Sequence, residues 1–509
     1  MRLRVLLLST ALTTTSVSLA RADLLAQAVE AAQAAPPRNT LLAWAGSARQ
    51  TSLPELLQTA IRQAPALASA KLDIAIAEAQ IEQTLGRHDW LIAAQANAAF
   101  TESGVVANAT SGSSRRFDIF GEIAKPLSTG GRIGLRAGTS YNFNKSMLFE
   151  SRFWSDSVSL TFYQPVLRGR GSDIFNANER RAQISRDATI LARRQAALDT
   201  VQTIVSGYWD LVLAQRQVAI TEASLALARE RLQITQIGAQ GGKIANAEIP
   251  AVEQIIATRE EEVLGGELAV LDRSIALRRA VNMQIEAGDI ALRVDNELDA
   301  RDRGWDFASL LERAYAASPQ LAQLEKQVAG TTIEIEVTEN GLLPQLDFDV
   351  AFGPTGVGDN IGDAAREMVT FGSLQGVGSL TYSQTLSQHQ VRGRTKELRL
   401  ARQKIRVTQV DVRAQIAQAM ARAVAQIELA KRRVALSQRA IDLATENIRI
   451  EKDRFNLGKS TNFDVLSRVE EQRQAELRKA QALIDWHKAE TVVQALTGDL
   501  LPAFGIDVQ

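Results

Sequence analysis

Three kinds of residue in this chain of 509 residues invite a chemical reading. Gly458-Lys459-Ser460 has the ending of a phosphate-binding loop. The pattern G-x-x-x-x-G-K-S/T needs glycine at 453, however, where Asp453 stands, and no hydrophobic strand precedes it. The histidines, His88, His389 and His487, are scattered without ligand-like spacing and read as surface or packing residues rather than metal ligands. The carboxylates lie on segments rich in both charges, where a solvated face is the default. No serine sits in a G-x-S-x-G setting, and the absence of cysteine removes thiolate metal sites, cysteine nucleophiles and disulfides. No catalytic residue, metal site or cofactor is assigned. With 58 basic and 58 acidic residues, bulk charge also argues against nucleic-acid binding.

The elements that position the remaining candidates begin after a leader. Arg2 and Arg4, the apolar run from Val5 to Leu12, and Ala20-Arg21-Ala22 before Asp23 read as a secretory signal peptide over 1–22. The run is broken by Ser9 and Thr10, well short of the roughly 20 apolar residues that a spanning helix needs. No later stretch approaches a transmembrane helix, so contact with a membrane falls to strands. Residues 23–52 form an N-terminal extension.

Beyond it the chain is duplicated. Leu56-Leu57-x-x-Ala60 with Pro65-x-Leu67-Ala68 returns as Leu310-Leu311-x-x-Ala314 with Pro319-x-Leu321-Ala322, at an offset of 254. Ser159-Leu160-Thr161 returns as Ser379-Leu380-Thr381 at 220, and Gly242-Lys243 with Asn246 and Glu248 returns as Gly458-Lys459 with Asn462 and Asp464 at 216. Repeat 1 spans 53–283, with strands at about 92–167 and a hairpin tip near 240–246. A linker follows at 284–306. Repeat 2 spans 307–497, with strands at about 344–386 and a tip near 456–462, before a tail at 498–509.

Each repeat runs helix, strands, very long helix, turn, long helix. The stretches 176–239 and 394–457 lack proline, and each predicts one helix of about 95 Å at 1.5 Å per residue. Apolar residues recur every seven at Ile427, Val434, Ile441, Ile448 and Phe455. They recur separately at Leu429, Leu436, Leu443, Ile450 and Leu457. Residues two apart on a helix lie about 200° apart, so these are two seams. The first repeat carries the same pair, Leu211, Val218, Leu225, Leu232 and Leu213, Ile220, Leu227, Ile234. A helix that is sticky on both flanks wants a neighbour on each side, as a stave of a hollow cylinder does; a solid antiparallel bundle is the alternative.

In the strand blocks the period is two. Ile133, Leu135, Ala137, Thr139, Tyr141 and Phe143 alternate with Arg132, Gly134, Arg136, Gly138, Ser140 and Asn142, and Leu346, Phe348, Val350 and Phe352 alternate with polar or small residues. Such alternation over about ten residues marks a barrel strand with lipid outside and water inside. A soluble β-domain stacked on helices is the alternative. Weaker strands run through Ala94 to Phe100 and Phe117 to Ile123, and 102–115, 146–156 and 354–375 read as outward loops. Nine of the 26 aromatics fall between Phe117 and Tyr163, where interfacial girdles would sit. Four strands in the first repeat and two in the second fall short of the roughly eight that a closed barrel needs, so the barrel is shared among subunits.

These features together resemble the TolC family of outer-membrane efflux and secretion channels, over about Leu53 to Thr497. The most specific local match is Arg454-Phe455-Asn456-Leu457-Gly458-Lys459-Ser460-Thr461-Asn462-Phe463-Asp464-Val465-Leu466, which resembles the family's hairpin tip; Gln164-Pro165-Val166-Leu167-Arg168-Gly169 resembles the entry into the long helix. The resemblance implies an α+β membrane protein. A homotrimer shares a transmembrane β-barrel, continued by a long periplasmic α-helical barrel, and docks onto a periplasmic adaptor and an inner-membrane pump. It further implies that Asp464 belongs to an acidic ring at the periplasmic aperture, where Ser467 replaces the second acid. Glu248 is the acidic partner of an aperture latch whose arginine is replaced by Ser460 and whose threonine is replaced by Ala247, leaving Lys459 as the substitute cation. For Asp464 the alternative is an ordinary acid at a helix N-terminus. Gly242, Lys243, Gly458 and Lys459, at the two tips, are the expected adaptor-docking residues. The family pattern is twelve barrel strands per trimer, whereas the hairpin around Pro126 to Gly131 suggests eighteen here unless the extra pair lies outside the wall. The expected function is passive conduction from pump and adaptor across the outer membrane; the rival is a non-conducting periplasmic scaffold or adhesin.

Overall fold

The computed structural model describes residues 48–103, 112–145, 149–242, 244–286, 289–295 and 304–506. The leader, most of the N-terminal extension, the last three residues and Lys243 lie outside them. Two compact units emerge. One gathers Ile61–Gln202, Arg303–Ala425 and Glu490–Gln509; the other gathers Met1–Ala60, Thr203–Asp302 and Gln426–Ala489. Among the described residues no helix is both long and apolar enough to cross a membrane.

The first unit is built on one antiparallel sheet. Its strands are β2 (Leu91–Ser103), β3 (Gly112–Pro126), β4 (Arg132–Lys145), β5 (Glu150–Pro165), β7 (Gln345–Gly358) and β8 (Ser373–Ser383), and they lie in that order. The register puts like beside like. Ile123 lies beside Leu135, Leu135 beside Leu160 and Leu160 beside Phe352, whereas on the opposite face Asp118 lies beside Ser140 and Ser140 beside Ser155. Because side chains alternate along a strand, one face is mainly apolar across all six strands and the other mainly polar, with Asp156 beside Thr139 on the apolar side and Phe120 beside Gly138 on the polar one. Among the described residues most of the apolar face is bare, with Ile92, Phe117, Leu135, Phe352 and Leu380 all exposed. The polar face is concave and lined by small and polar side chains such as Asn97, Ser157, Ser159, Thr161 and Gly353.

Helices feed this sheet. In α2 (Pro65–Leu85) and α7 (Pro319–Asn340) a proline occupies the first turn, where its missing N–H costs nothing. Ser318 caps α7 by accepting from the Leu321 amide at 3.3 Å, and Asp306 caps α6 (Phe307–Ala317) by accepting from Ser309 at 3.1 Å. The strands run beyond the sequence limits and take up parts of the expected loops. Within 354–375, expected as a loop, β7 continues to Gly358 and a helix, α8 (Ile361–Val369), lies against β5 and β7. Its side chain Asn360 caps the start by accepting from the Asp363 amide at 3.0 Å. A Cβ at Gly356 would stand 2.0 Å from the Ala364 carbonyl oxygen, so only glycine admits the helix there. Nine residues are too few for helical periodicity to declare itself in sequence.

The second unit is helical. Helix α4 (Ala177–Gln240) and helix α9 (His389–Asn456) run through both units, and the second unit also holds α5 (Glu248–Val281) and most of α10 (Asn462–Thr497). The two seams of α9 part company. Ile427 is 0% exposed and Ile448 is buried, whereas Leu429, Leu436, Leu443, Ile450 and Leu457 are all exposed, Leu436 to 68%. On α4, Leu211, Val218 and Leu225 of one seam and Ile220 of the other are buried within the chain. Two of the three histidines pack on rings: His487 stacks flat on Trp209 at 4.2 Å between ring centres, and, in the first unit, His88 meets the Phe175 ring edge-on at 5.2 Å, whereas His389 is exposed.

The linker between the repeats is tied into this unit. Strand β6 (Leu292–Val294) pairs in parallel with β1 (Arg49–Thr51). Arg278, 1% exposed, donates to the Ile290 and Gln284 carbonyls and to Asp289 at 2.8 Å, which fixes the chain's exit from α5. Gln215 and Tyr208 on α4 donate to the Leu292 and Asp295 carbonyls.

Among the described residues, one buried carboxylate in this unit lacks compensation. Glu267 on α5 is 1% exposed, and neither carboxylate oxygen has a hydrogen-bond partner. Burial first, and then the Glu222 carboxylate, push its pKa above the ordinary carboxylate value. A carboxyl raised in the folded state adds stability that is complete below the unfolded pKa and is lost as pH rises through the folded one. Glu267→Gln is therefore expected to raise the thermal unfolding midpoint more at about pH 8 than at about pH 4. An equal shift at both pH values, followed by circular dichroism, would rule out a buried charge as the cause.

Candidate functional site at the helix tips

Both long helices end in the same way. Beyond Gln240 and Asn456 the chain reverses through Gly242 (φ +68) and Gly458 (φ +70), in the left-handed region that a Cβ disfavours by about 1 kcal/mol. At the second turn the Lys459 amide donates to the Arg454 carbonyl at 2.9 Å and the Gly458 amide to that of Phe455 at 2.9 Å, so the last carbonyls of α9 are satisfied.

Helix α10 then starts with a capping box. The Thr461 amide donates to the Asp464 carboxylate at 3.0 Å, and the Asp464 amide donates back to the Thr461 hydroxyl oxygen at 3.3 Å. The Thr461 and Ser460 hydroxyls donate to the same carboxylate, at 2.7 and 3.3 Å. The Thr461 backbone N–H, followed by its hydroxyl, holds the Asp464 pKa below the usual carboxylate range. Asp464 therefore remains an anion at the exposed tip, and its local work is to cap the helix.

The tie between the two hairpins is made by the residue two before it. Asn462 is 1% exposed, and its side-chain amide donates to the Thr235 hydroxyl at 2.9 Å and to the Glu248 carboxylate at 2.8 Å. Thr235 directs its own proton to the Arg231 carbonyl, which leaves its oxygen free to accept. One side chain thus pins the start of α10 to the end of α4 and the start of α5. Beneath it Leu466 packs with Ala228 and Val252, and Phe463 borders a shallow apolar groove lined by Ala251, Val252 and Ile255.

Farther along the same helices lies a network of four charges. Arg259 pairs with Glu470 across the hairpins and with Glu262 at 2.6 Å, and Arg473 pairs with Glu470 at 2.8 Å and with Glu262 at 3.5 Å. Both arginines are largely buried. Burial opposes ionisation of Glu470, but the Arg473, Gln474 and Arg259 contacts outweigh it and lower its pKa.

Of the residues singled out from sequence, the structure brings Glu248 to the tie but not Lys459, which is exposed and forms no ion pair with Glu248. The partner is Asn462, an amide: it reaches a position where a lysine would need to bury its charge. Ser467 is exposed on α10, Gly242 and Gly458 form the turns, and Lys243 lies outside the described residues. Thr235, Arg259, Glu262, Glu470 and Arg473 were not among the sequence candidates. Asn462 was visible there only as a repeat marker matching Asn246. Nothing in the order of residues announces that positions 211 apart, such as Arg259 and Glu470, form one ion pair.

With this geometry in hand, the comparisons agree. The sequence pattern of the family described as Outer membrane efflux protein matches residues 310–499. The likeness is to the TolC-like outer-membrane channels. Nodulation protein T of Rhizobium leguminosarum bv. trifolii is 22% identical over 332 residues, which is 64% of this chain and 68% of that protein. The outer-membrane channel OprN superposes with a TM-score of 0.65 at 13% identity, over 88% of this chain and 90% of its own. The CmeC outer membrane channel of Campylobacter jejuni gives 0.64 at 12%, over 88% and 86%, and the outer membrane protein VceC of Vibrio cholerae gives 0.61 at 13%, over 90% and 97%. At such identities it is the fold that is shared, and this chain has the TolC-like fold.

Asn462→Leu removes both bonds of the tie and leaves Glu248 and Thr235 without that donor, at an expected local cost of about 1–2 kcal/mol. Hydrogen–deuterium exchange should quicken at residues 456–466 and remain unchanged in the middle of α9. Unaltered exchange at the tip would show that the apolar packing alone holds the hairpins.

Proposed function

We propose that this chain is the outer-membrane channel of a tripartite efflux or type I secretion system. Three copies share a β-barrel in the outer membrane, and their long helices form a tunnel in the periplasm. An inner-membrane pump and a periplasmic adaptor deliver the substrate, which the channel conducts passively. The reading rests above all on the six-stranded sheet. Strands of 11 to 16 residues carry one mainly apolar face and one concave polar face, and at about 3.3 Å per residue and about 40° of tilt they rise roughly 28 to 40 Å, enough to span a bilayer core of about 30 Å.

The helical unit supports it independently. The seam Leu429, Leu436, Leu443, Ile450 and Leu457 has no cover among the described residues, and Leu264, Leu268 and Ile275 leave a second bare apolar line on α5. Apolar rows of this length in water call for neighbouring helices. Copies of the same chain supply them on either side, as staves do.

At the periplasmic aperture, three copies of Asp464 face the axis with Ser467 one turn farther along α10. Their depressed pKa keeps them charged, which favours cations. The closed state is held within each subunit by the bonds from Asn462 to Glu248 and Thr235 and by the Arg259–Glu470 pair. The turns at Gly242-Lys243 and Gly458-Lys459 are the adaptor-docking points, because a tip is free of lateral neighbours.

Purified protein in planar bilayers tests this reading. The expected result is small cation-selective steps that grow by a factor of about two in Asp464→Ala as the ring of charge is lost. Steps that are unchanged in the variant would remove Asp464 from the constriction. Inserted trimers that never conduct, even when Asn462 and Arg259 are also replaced, would favour a scaffold over a channel.

A further inference from the structure

The sheet has two bare edges. Among the described residues, strand β2 pairs only with β3, and β8 pairs only with β7. Both are edges of a surface whose apolar face is meant for lipid, where unpaired N–H and C=O groups cost several kcal/mol each. Both carry the same two-faced alternation as the central strands, with Ile92, Ala94 and Ala96 on the apolar face of β2 and Gly378, Leu380 and Tyr382 on that of β8.

Resting on the channel reading, we propose that β8 of one copy pairs with β2 of the next, so that three copies close a barrel of eighteen strands, with all six strands of each chain in the wall. Three observations carry this further than a strand count. First, the β3–β4 hairpin cannot be set outside the wall: β3 is hydrogen-bonded to β2 and to β4 along its length, and β4 is bonded in turn to β5 from Arg132 to Lys145. Second, six is even. Strand β2 leads away from the helices and β8 returns to them, so the closing pair is antiparallel like every other pair in the sheet. Third, the apolar and polar faces continue without inversion to both edges, so closure keeps lipid outside and water inside.

The consequence is a wide lumen. At about 4.8 Å between strands and about 40° of tilt, eighteen strands place opposite backbones about 36 Å apart, against about 24 Å for twelve. The inward lining mixes small residues, Ser155, Ser157, Ser159 and Gly353, with Arg116, Phe120 and Arg136, whose side chains are the ones long enough to narrow it. Even with these side chains inside, a wall of eighteen strands leaves a wider passage than one of twelve.

The absence of native cysteine makes the edge pairing directly testable. Ala96→Cys on β2 is combined in turn with Gly376→Cys, Gly378→Cys and Leu380→Cys on β8, all on the apolar face, and the full-length protein in outer-membrane fractions is oxidised. The expected result is a reducible ladder ending at three chains in at least one of the registers. Three results would overturn the proposal and spare the channel: cross-linking of Ala137→Cys on β4 to the same β8 positions, a ladder ending at any number other than three, or verified trimers with no ladder in any register. A soluble monomer that never reaches the membrane fraction would overturn the channel reading as well.

Discussion

A backbone inside lipid has no water to turn to, and this constraint governs the molecule. Every N–H and C=O in the strand unit must find a partner in protein. One chain supplies five of the strand pairings that its six strands need and leaves two edges open. On the channel reading proposed above, the chain is incomplete alone and its membrane function belongs to an assembly. The alternation that satisfies lipid on one face and water on the other follows from the same constraint, because a strand that must be held on both sides has only its two faces left to differ.

The helical unit meets a milder version of the same demand. In water an unpartnered apolar seam costs hydrophobic free energy rather than hydrogen bonds, roughly 25 cal/mol per Å² left exposed. One seam of α9 is buried within the chain and the other is bare, whereas α4 is covered along parts of both. Such an arrangement has an inside position and an outside position for each repeat. It converts an internal duplication into a unit that continues laterally through further copies of itself.

The tips combine strength and reversibility. The Asn462 bonds and the four-charge network are polar, directional and largely buried, so they hold the hairpins in one arrangement and can be exchanged for water only once the hairpins separate. A purely apolar contact of the same area would be indifferent to small rotations and slower to give way. Asp464 illustrates how one residue serves two levels. Its capping bonds belong to its own helix, while the proposed trimer is what would give its retained charge a further use.

What the sequence by itself determined is whatever repeats at short range. Period two located the strands and their two faces from Ile133 to Phe143, because a lipid-facing strand has no freedom in that pattern. Period seven located both seams of the long helices. The turn glycines and the Thr461–Asp464 box were written locally, and so was the resemblance of the tip. Only the tertiary structure decided which seam is covered, that all four strands of the first repeat stand in one sheet with the two of the second, and that a short helix replaces part of the loop at 354–375. It also decided that Asn462, rather than Lys459, meets Glu248, and that Arg259 meets Glu470. These pairings join residues hundreds of positions apart, and their partners are chosen by how helices and strands pack. No local pattern carries that information, since many residues of the same type and charge occupy equivalent places on the same helices.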